Sequence, residues 1–297
     1  MNHAPNSLWE TPVDERDFPL GAIVGHAAQQ ELPDEYTVAE PLVIKDQGEG
    51  TDMCTAYALS SVSEDEEDVV LDPFYTFGAT KFITGDKDSW GADLRSAAKS
   101  AVVGKGPYGF LEAKDLSKLT SPSDVAARDI AADWSNITSD QEIEARAHAK
   151  KSFFAVDGSG DMFDNMRSAM WMTRSEKRSI FTGCQWRSVW TYGGSVIETA
   201  PSGQTFGHAV KAFGWRGEYI KLQLSNGKSI GDNGIFYISR LALNQAFTFG
   251  AFTFLDMPRE DAEKAVVESK KSKTFFTRVA SPFVNLFDKL RLCHTTI

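Results

Sequence analysis

Residues 45 to 58 read Lys45-Asp46-Gln47-Gly48-Glu49-Gly50-Thr51-Asp52-Met53-Cys54-Thr55-Ala56-Tyr57-Ala58. Two glycines among polar residues describe a turn, and the run from Cys54 to Val62 holds no Gly or Pro. The expectation is a helix opening at Cys54 with Asp52 as its N-cap. At a helix N-terminus the unpaired amides and the helix dipole favour thiolate over thiol, so a cysteine there is primed as a nucleophile. Gln47, on its Gly-containing turn, can return a side-chain amide N–H to the space in front of the sulfur, as an oxyanion hole requires. A lone buried cysteine is more often structural, so this stretch needs a partner elsewhere in the chain.

The partner is Gly203-Gln204-Thr205-Phe206-Gly207-His208-Ala209-Val210-Lys211-Ala212-Phe213-Gly214-Trp215. His208 falls near the start of a predicted strand, beside a glycine that lets a substrate backbone come close. His3 and His294 lie near the ends, His26 in the N-terminal arm and His148 on a polar helix, so only His208 has the setting of a site. The three cysteines, Cys54, Cys184 and Cys293, are too widely spaced for a disulfide framework or a zinc site. Met1 to Phe18 has acidic residues and no apolar run of signal length. Both features predict a cytoplasmic protein.

Working outward, residues 1–34 form an arm rich in Pro, Asn, Asp and Glu. Leu94, Ala97, Ala98, Ala101 and Val102 recur at helical spacing before Gly104, and that apolar stripe should face the first helix. Ser139 with Glu142 makes a capping box for a helix over Gln141 to Lys150, and a further helix is predicted over Asp161 to Met172. Residues 107–138 look like loop, the acidic run Glu64 to Asp68 like a solvated helix end, and residues 158–160 like a turn. From Ser179 the texture becomes strand-like, over 179–186, 206–215, 218–224, 234–239 and 246–255. Helices first and strands later predict an α+β protein with a helical lobe docked on an antiparallel sheet.

Charge narrows the partners. The chain of 297 residues carries a net charge of -10, a sign that repels phosphate backbones, so no nucleic acid is expected. No segment approaches ~20 uninterrupted apolar residues, so no membrane span is expected either. Residues 257–297 form an appendix, with a helix over Arg259 to Glu268 and an apolar stretch over 275–292. Its basic end, residues 270–297, opposes the acidic body and is the expected contact to a protein assembly or a homo-oligomer.

Taken together, the two stretches resemble the papain-like cysteine peptidases of the C1 type, especially their compact bacterial and phage-encoded relatives. Gln47-Gly48 and Cys54-Thr55-Ala56-Tyr57-Ala58 are similar to the family's turn and nucleophile, and His208-Ala209-Val210 with Gly214-Trp215 to its histidine strand. Trp90-Gly91-Ala92-Asp93-Leu94-Arg95 resembles the helix start beside the substrate cleft, and Gly231-Asp232-Asn233-Gly234 the family's late turn. The resemblance spans residues 35–256 and implies two lobes with a cleft between them. It implies acyl transfer on a protein or peptide substrate without metal or cofactor: Cys54 attacks, His208 moves the proton, and Gln47 with the Cys54 backbone N–H holds the oxyanion. Gly91 would pair with the substrate backbone and Gly207 would line the same cleft.

Three positions depart from the pattern. Aligned without gaps, the family's histidine-orienting Asn falls on Leu224, which has no polar side-chain atom. Asn226 shares a strand face with position 224, so either Asn226 reaches His208 from a shifted position or nothing orients the ring. The spacing from Gln47 to Cys54 is one residue longer than the family's. Only 46 residues precede Gln47, too few for the inhibitory segment of lysosomal relatives, so no zymogen control is expected. The rival expectation, carried by Leu224, is a catalytically impaired papain-like protein serving as a structural or binding component, for example of a phage particle, docked through its tail. Another Cys-His acyl transferase, transglutaminase-like or a cell-wall amidase, is the third.

Overall fold

A computed structural model describes residues 8–9, 11, 19–20, 32–102, 104–156, 161–200, 203–256, 260–261 and 264. The expectations for the turn at 158–160 and the apolar stretch at 275–292 lie outside them, as does most of the predicted helix from Arg259. The first half is helical: α1 is Cys54–Glu67, α2 Pro73–Thr84, α3 Leu94–Ser100, α4 Leu116–Thr120, α5 Val125–Ala132 and α6 Ser139–Arg146. Short strands β1 (Leu8–Trp9), β2 (Glu35–Thr37) and β3 (Ala92–Asp93) accompany them. The second half is mainly strands: β4 Ser152–Ala155, β5 Ile180–Arg187, β6 Val196–Ile197, β7 Thr205–Arg216, β8 Tyr219–Gln223, β9 Ile235–Ser239 and β10 Ala251–Leu255. Helices α7 (Met162–Met172), α8 (Ser188–Tyr192) and α9 (Arg240–Ala246) lie between them. The chain is α+β, as its texture predicts.

The large sheet runs β4-β10-β5-β7-β8-β9-β6, antiparallel except for β6 on β9, and β2 pairs with β7. One side packs α7 and α9 over a core that includes Met166, Met170, Trp186, Trp215 and Phe236. The other packs α1 and α3, with Cys54, Leu59, Leu94 and Ala98 against Phe181, Ala209 and Phe252. The α3 stripe thus faces α1 as expected.

Several local expectations are corrected. The α1 N-cap is Met53, with no side-chain cap bond, because Asp52 adopts a left-handed backbone at φ 56°. The acidic run is no solvated end: α1 continues through Glu67, with Glu64 and Asp65 buried beside cations from other elements. Lys45 Nζ lies 2.6 Å from Glu64 and also donates to Ser60 Oγ and the Leu71 carbonyl, at 2.8 and 2.9 Å. Lys211 Nζ on β7 lies 2.5 Å from Asp65, whose other oxygen accepts from Ser179 Oγ. These buried pairs tie α1 to the sheet, and each remaining lone pair or proton needs such a partner for burial to be tolerable. Residues 107–138 contain α4 and α5 rather than loop alone. The capping box is Thr138 with Gln141, one residue earlier than read, and α6 ends at Arg146.

Candidate active site

The sulfur of Cys54 sits where α1 meets β7. It accepts a hydrogen bond from the Ala209 backbone N–H at 3.4 Å, which fixes the helix N-terminus beside the residue that follows His208. Helix α1 is buried along most of its length, so this placement is set by core packing rather than by a surface loop.

Gln47 is tied by a short ladder to the segment that follows β8. Its backbone N–H donates to the Ser225 carbonyl at 2.8 Å, Asp46 bridges Asn226, and the Gly227 N–H donates to the Lys45 carbonyl at 3.0 Å. Ser225 Oγ donates to Gln47 Oε1 at 2.9 Å. With the carbonyl end of the side chain so engaged, the amide N–H pair is the end left to act. Thr51 closes the loop between Gln47 and Cys54, its hydroxyl donating back to the Gln47 carbonyl at 2.7 Å.

His208 lies opposite Cys184 in the β5–β7 register and is 2% exposed, with Trp186 and Phe206 rings at 5.9 and 6.0 Å. Nε2 is buried with no hydrogen-bond partner. Burial drives the ring's pKa down to about 4, against the Asn226 side chain, whose hydrogen-bonding approach favours the protonated form. Leu224 is buried in the sheet core and offers the ring nothing. Cys184 is a different kind of thiol: burial, and secondarily the nearby Cys54, push its pKa well above the ordinary value, so it stays protonated.

The N-terminal segment packs against both β3 and β7. Strand β1 pairs in parallel with β3, Leu8 against Ala92 and Trp9 against Asp93, and the Leu94 N–H donates to Thr11 Oγ1 at 3.3 Å. Leu8 lies directly on Gly207: a Cβ there would come within 2.5 Å of the Leu8 carbonyl oxygen. The Leu8 side chain presses on Gly183, between Leu94 and Phe249, where a Cβ would likewise collide. Both glycines are needed to admit this segment. Gly91 has its carbonyl bound by Lys81 Nζ at 2.6 Å, and the strand pairing with β1 is made by its successors, Ala92 and Asp93.

Sequence reasoning missed Lys81, Gly183, Leu8 and Trp9. The last two sit in an arm whose composition marks it only as polar surface chain, and the pairing that matters spans 84 positions between Leu8 and Ala92. Among the described residues no cluster of His, Cys, Asp and Glu is arranged to hold a metal ion.

No protein-family profile and no curated protein sequence matches the chain. Solved structures do. Xylellain, a cysteine protease from Xylella fastidiosa, superposes with a TM-score of 0.66 at 17% identity, covering 85% of this chain and 96% of its own. The procathepsin B S9 of Trypanosoma congolense gives a TM-score of 0.56 at 14% identity over 85% of this chain and 87% of its own. Bromelain from Ananas comosus, solved with the E64 inhibitor, gives 0.52 at 15% identity over 75% of this chain and 99% of its own. At these identities the likeness is one of architecture. A helix opening at a cysteine, docked on the strand that carries a histidine, within a chain that superposes on these three proteases, is the papain-like fold.

Proposed function

We propose that this chain is a cysteine peptidase held latent by its own residues 8–9. The observation that carries the reading is the Cys54 sulfur at the first residue of α1, hydrogen-bonded to the strand of His208. In this reading the Cys54 thiolate attacks the carbonyl carbon of a peptide bond, and Gln47 with the Cys54 backbone N–H stabilises the oxyanion. His208 hands its proton to the leaving amine, and an acyl-enzyme forms as the C–N bond breaks. Water then attacks the thioester while His208 takes the water's proton, releasing the acid and restoring the thiolate beside a protonated His208. Asn226 is the positioning residue for the ring, in place of the position occupied by Leu224. With the cleft filled, His208 is neutral near pH 7 because it is dry. Withdrawal of Leu8 rehydrates it and lets it share a proton with the sulfur.

The test is labelling by a thiol-directed epoxide at neutral pH, mapped by mass spectrometry, on the native chain and on Leu8→Asp, beside cleavage of a fluorogenic peptide library. Labelling at Cys54 that accelerates in Leu8→Asp and disappears in His208→Ala, together with cleavage, is expected. Labelling of Cys54 no faster than of Cys184, with no cleavage by either form, overturns the enzyme. That outcome would instead favour a binding component without turnover, a reading supported by buried Leu224 and by the filled cleft, with residues 257–297 as its docking element.

A further inference from the structure

Trp9 is not merely covered by the helical lobe; both of its recognisable features are met. The ring face lies 5.3 Å from Lys81 Nζ, and the indole N–H donates to the Trp90 carbonyl at 2.7 Å. Lys81 itself is 0% exposed and has no carboxylate at ion-pair distance among the described residues. Its three N–H bonds are spent on the Ser89 carbonyl at 2.7 Å, Ser89 Oγ at 3.0 Å and the Gly91 carbonyl at 2.6 Å. What the ammonium offers outward is therefore charge without hydrogen-bond donors, and the groups suited to that are π faces. Phe77 supplies one from inside the lobe at 5.2 Å; Trp9 supplies the other from the cleft. Arg128 fixes the same turn from the far side, donating to the Ser89 carbonyl at 2.6 Å and stacking on Trp90 at 4.4 Å. Asp86 and Asp52 act on the ammonium only through space, and burial outweighs them, so holding a cation here is costly and a methionine would fill the space without that cost. Its presence in the wall of the cleft needs a use.

We infer that the shelf formed by Lys81 and the Ser89–Gly91 turn is a subsite for an aromatic side chain of the substrate peptide, Trp above all, and that Lys81 is its specificity-determining residue. The inference rests on the peptidase reading, since it takes Leu8 and Trp9 as occupants standing in for substrate. A peptide entering the cleft would place an aliphatic residue against Gly183, where Leu8 lies, and an aromatic neighbour on the shelf. The arm runs parallel to β3, so a substrate running antiparallel would present the same two side chains in the reverse order.

The experiment uses the full chain carrying Leu8→Ala and Trp9→Ala, and measures alkylation of Cys54 by iodoacetamide in the presence of blocked dipeptides. The probes are acetyl-Trp-Leu-amide and acetyl-Leu-Trp-amide, and the same compounds with Ala or cyclohexylalanine replacing Trp. In at least one direction the Trp peptide is expected to protect Cys54 at roughly fivefold lower concentration than either replacement, and Lys81→Met is expected to erase that difference. Cyclohexylalanine is apolar and ring-shaped but has neither the π face nor the indole N–H, so this comparison tests both contacts of the shelf together even if Lys81→Met does not fold. Equal protection by Trp and cyclohexylalanine peptides overturns the subsite. Alkylation no faster in the double variant than in the native chain overturns it too, because Trp9 would not be the occupant. Hydrolysis is scored separately: selective protection without any cleavage leaves the subsite standing and fails the peptidase reading alone.

Discussion

The titration of His208 is set by where it lies. A ring held to about pKa 4 in the folded chain meets an unfolded value near 6.5, so the folded form binds fewer protons between those two values. Stability is therefore complete above about pH 6.5 and is lost progressively as pH falls toward 4, by roughly 3 kcal/mol in total from this group. Thermal melts of the native chain and of His208→Gln across that window should show the slope in the first and its reduction in the second. Two positions just beyond β8 separate by readout. Asn226→Ala is expected to lower kcat by about 10-fold or more with little change in melting temperature. Leu224→Ala, which empties part of the sheet core, is expected to cost about 2–5 kcal/mol of stability. Asn226 was legible from the sequence because residues two apart on a strand share a face, which left it the polar candidate once position 224 proved apolar. Whether its side chain approached the ring depended on the bridge between Asp46 and Asn226, a contact between segments far apart in the chain.

At the scale of elements, the helix that carries Cys54 depends on charges sealed inside the protein. Lys45→Met leaves Glu64 buried beside Leu71 with its cation gone, and the expected cost is about 3–5 kcal/mol, read as a fall in the denaturation midpoint. The double change Lys45→Met with Glu64→Leu should recover most of it, since a pair replaced by apolar groups leaves no unpaired charge. The sequence showed α1, α3 and α7 because an apolar period or an activated residue marked each. It also held signals that went unread. Asp72 before Pro73, with Gly85 beyond the end, is a complete start and stop for α2, and Asp72 Oδ1 indeed accepts from the Phe74 N–H at 2.7 Å. The acidic run misled for a different reason: five consecutive carboxylates look solvated until their partners, Lys45, Lys150, Arg178 and Lys211, arrive from distant segments.

For the whole molecule, order along the chain was enough to predict helices packed on a sheet, and local setting alone singled out Cys54 and His208, the nucleophile and base of the proposed function. The β1–β3 pairing was not predicted, because the strands are two residues each and strands that short leave no periodic trace. In the proposed latent state that pairing makes the resting protein a complex with itself, and this has a measurable signature. A separate inhibitor would dissociate on dilution, whereas Leu8 and Trp9 are joined to the body they cover, so their local concentration is fixed by the chain, in the millimolar range for short flexible connections. The rate of Cys54 labelling in the native chain should accordingly be the same at nanomolar and micromolar protein, while free Leu-Trp peptide added to an opened variant protects only in proportion to its concentration. On the proposed reading a substrate competes with an occupant that never leaves, so the arm would set a threshold: peptides of low affinity or low abundance would stay uncut, and only those whose concentration divided by dissociation constant exceeds the arm's own ratio would gain entry.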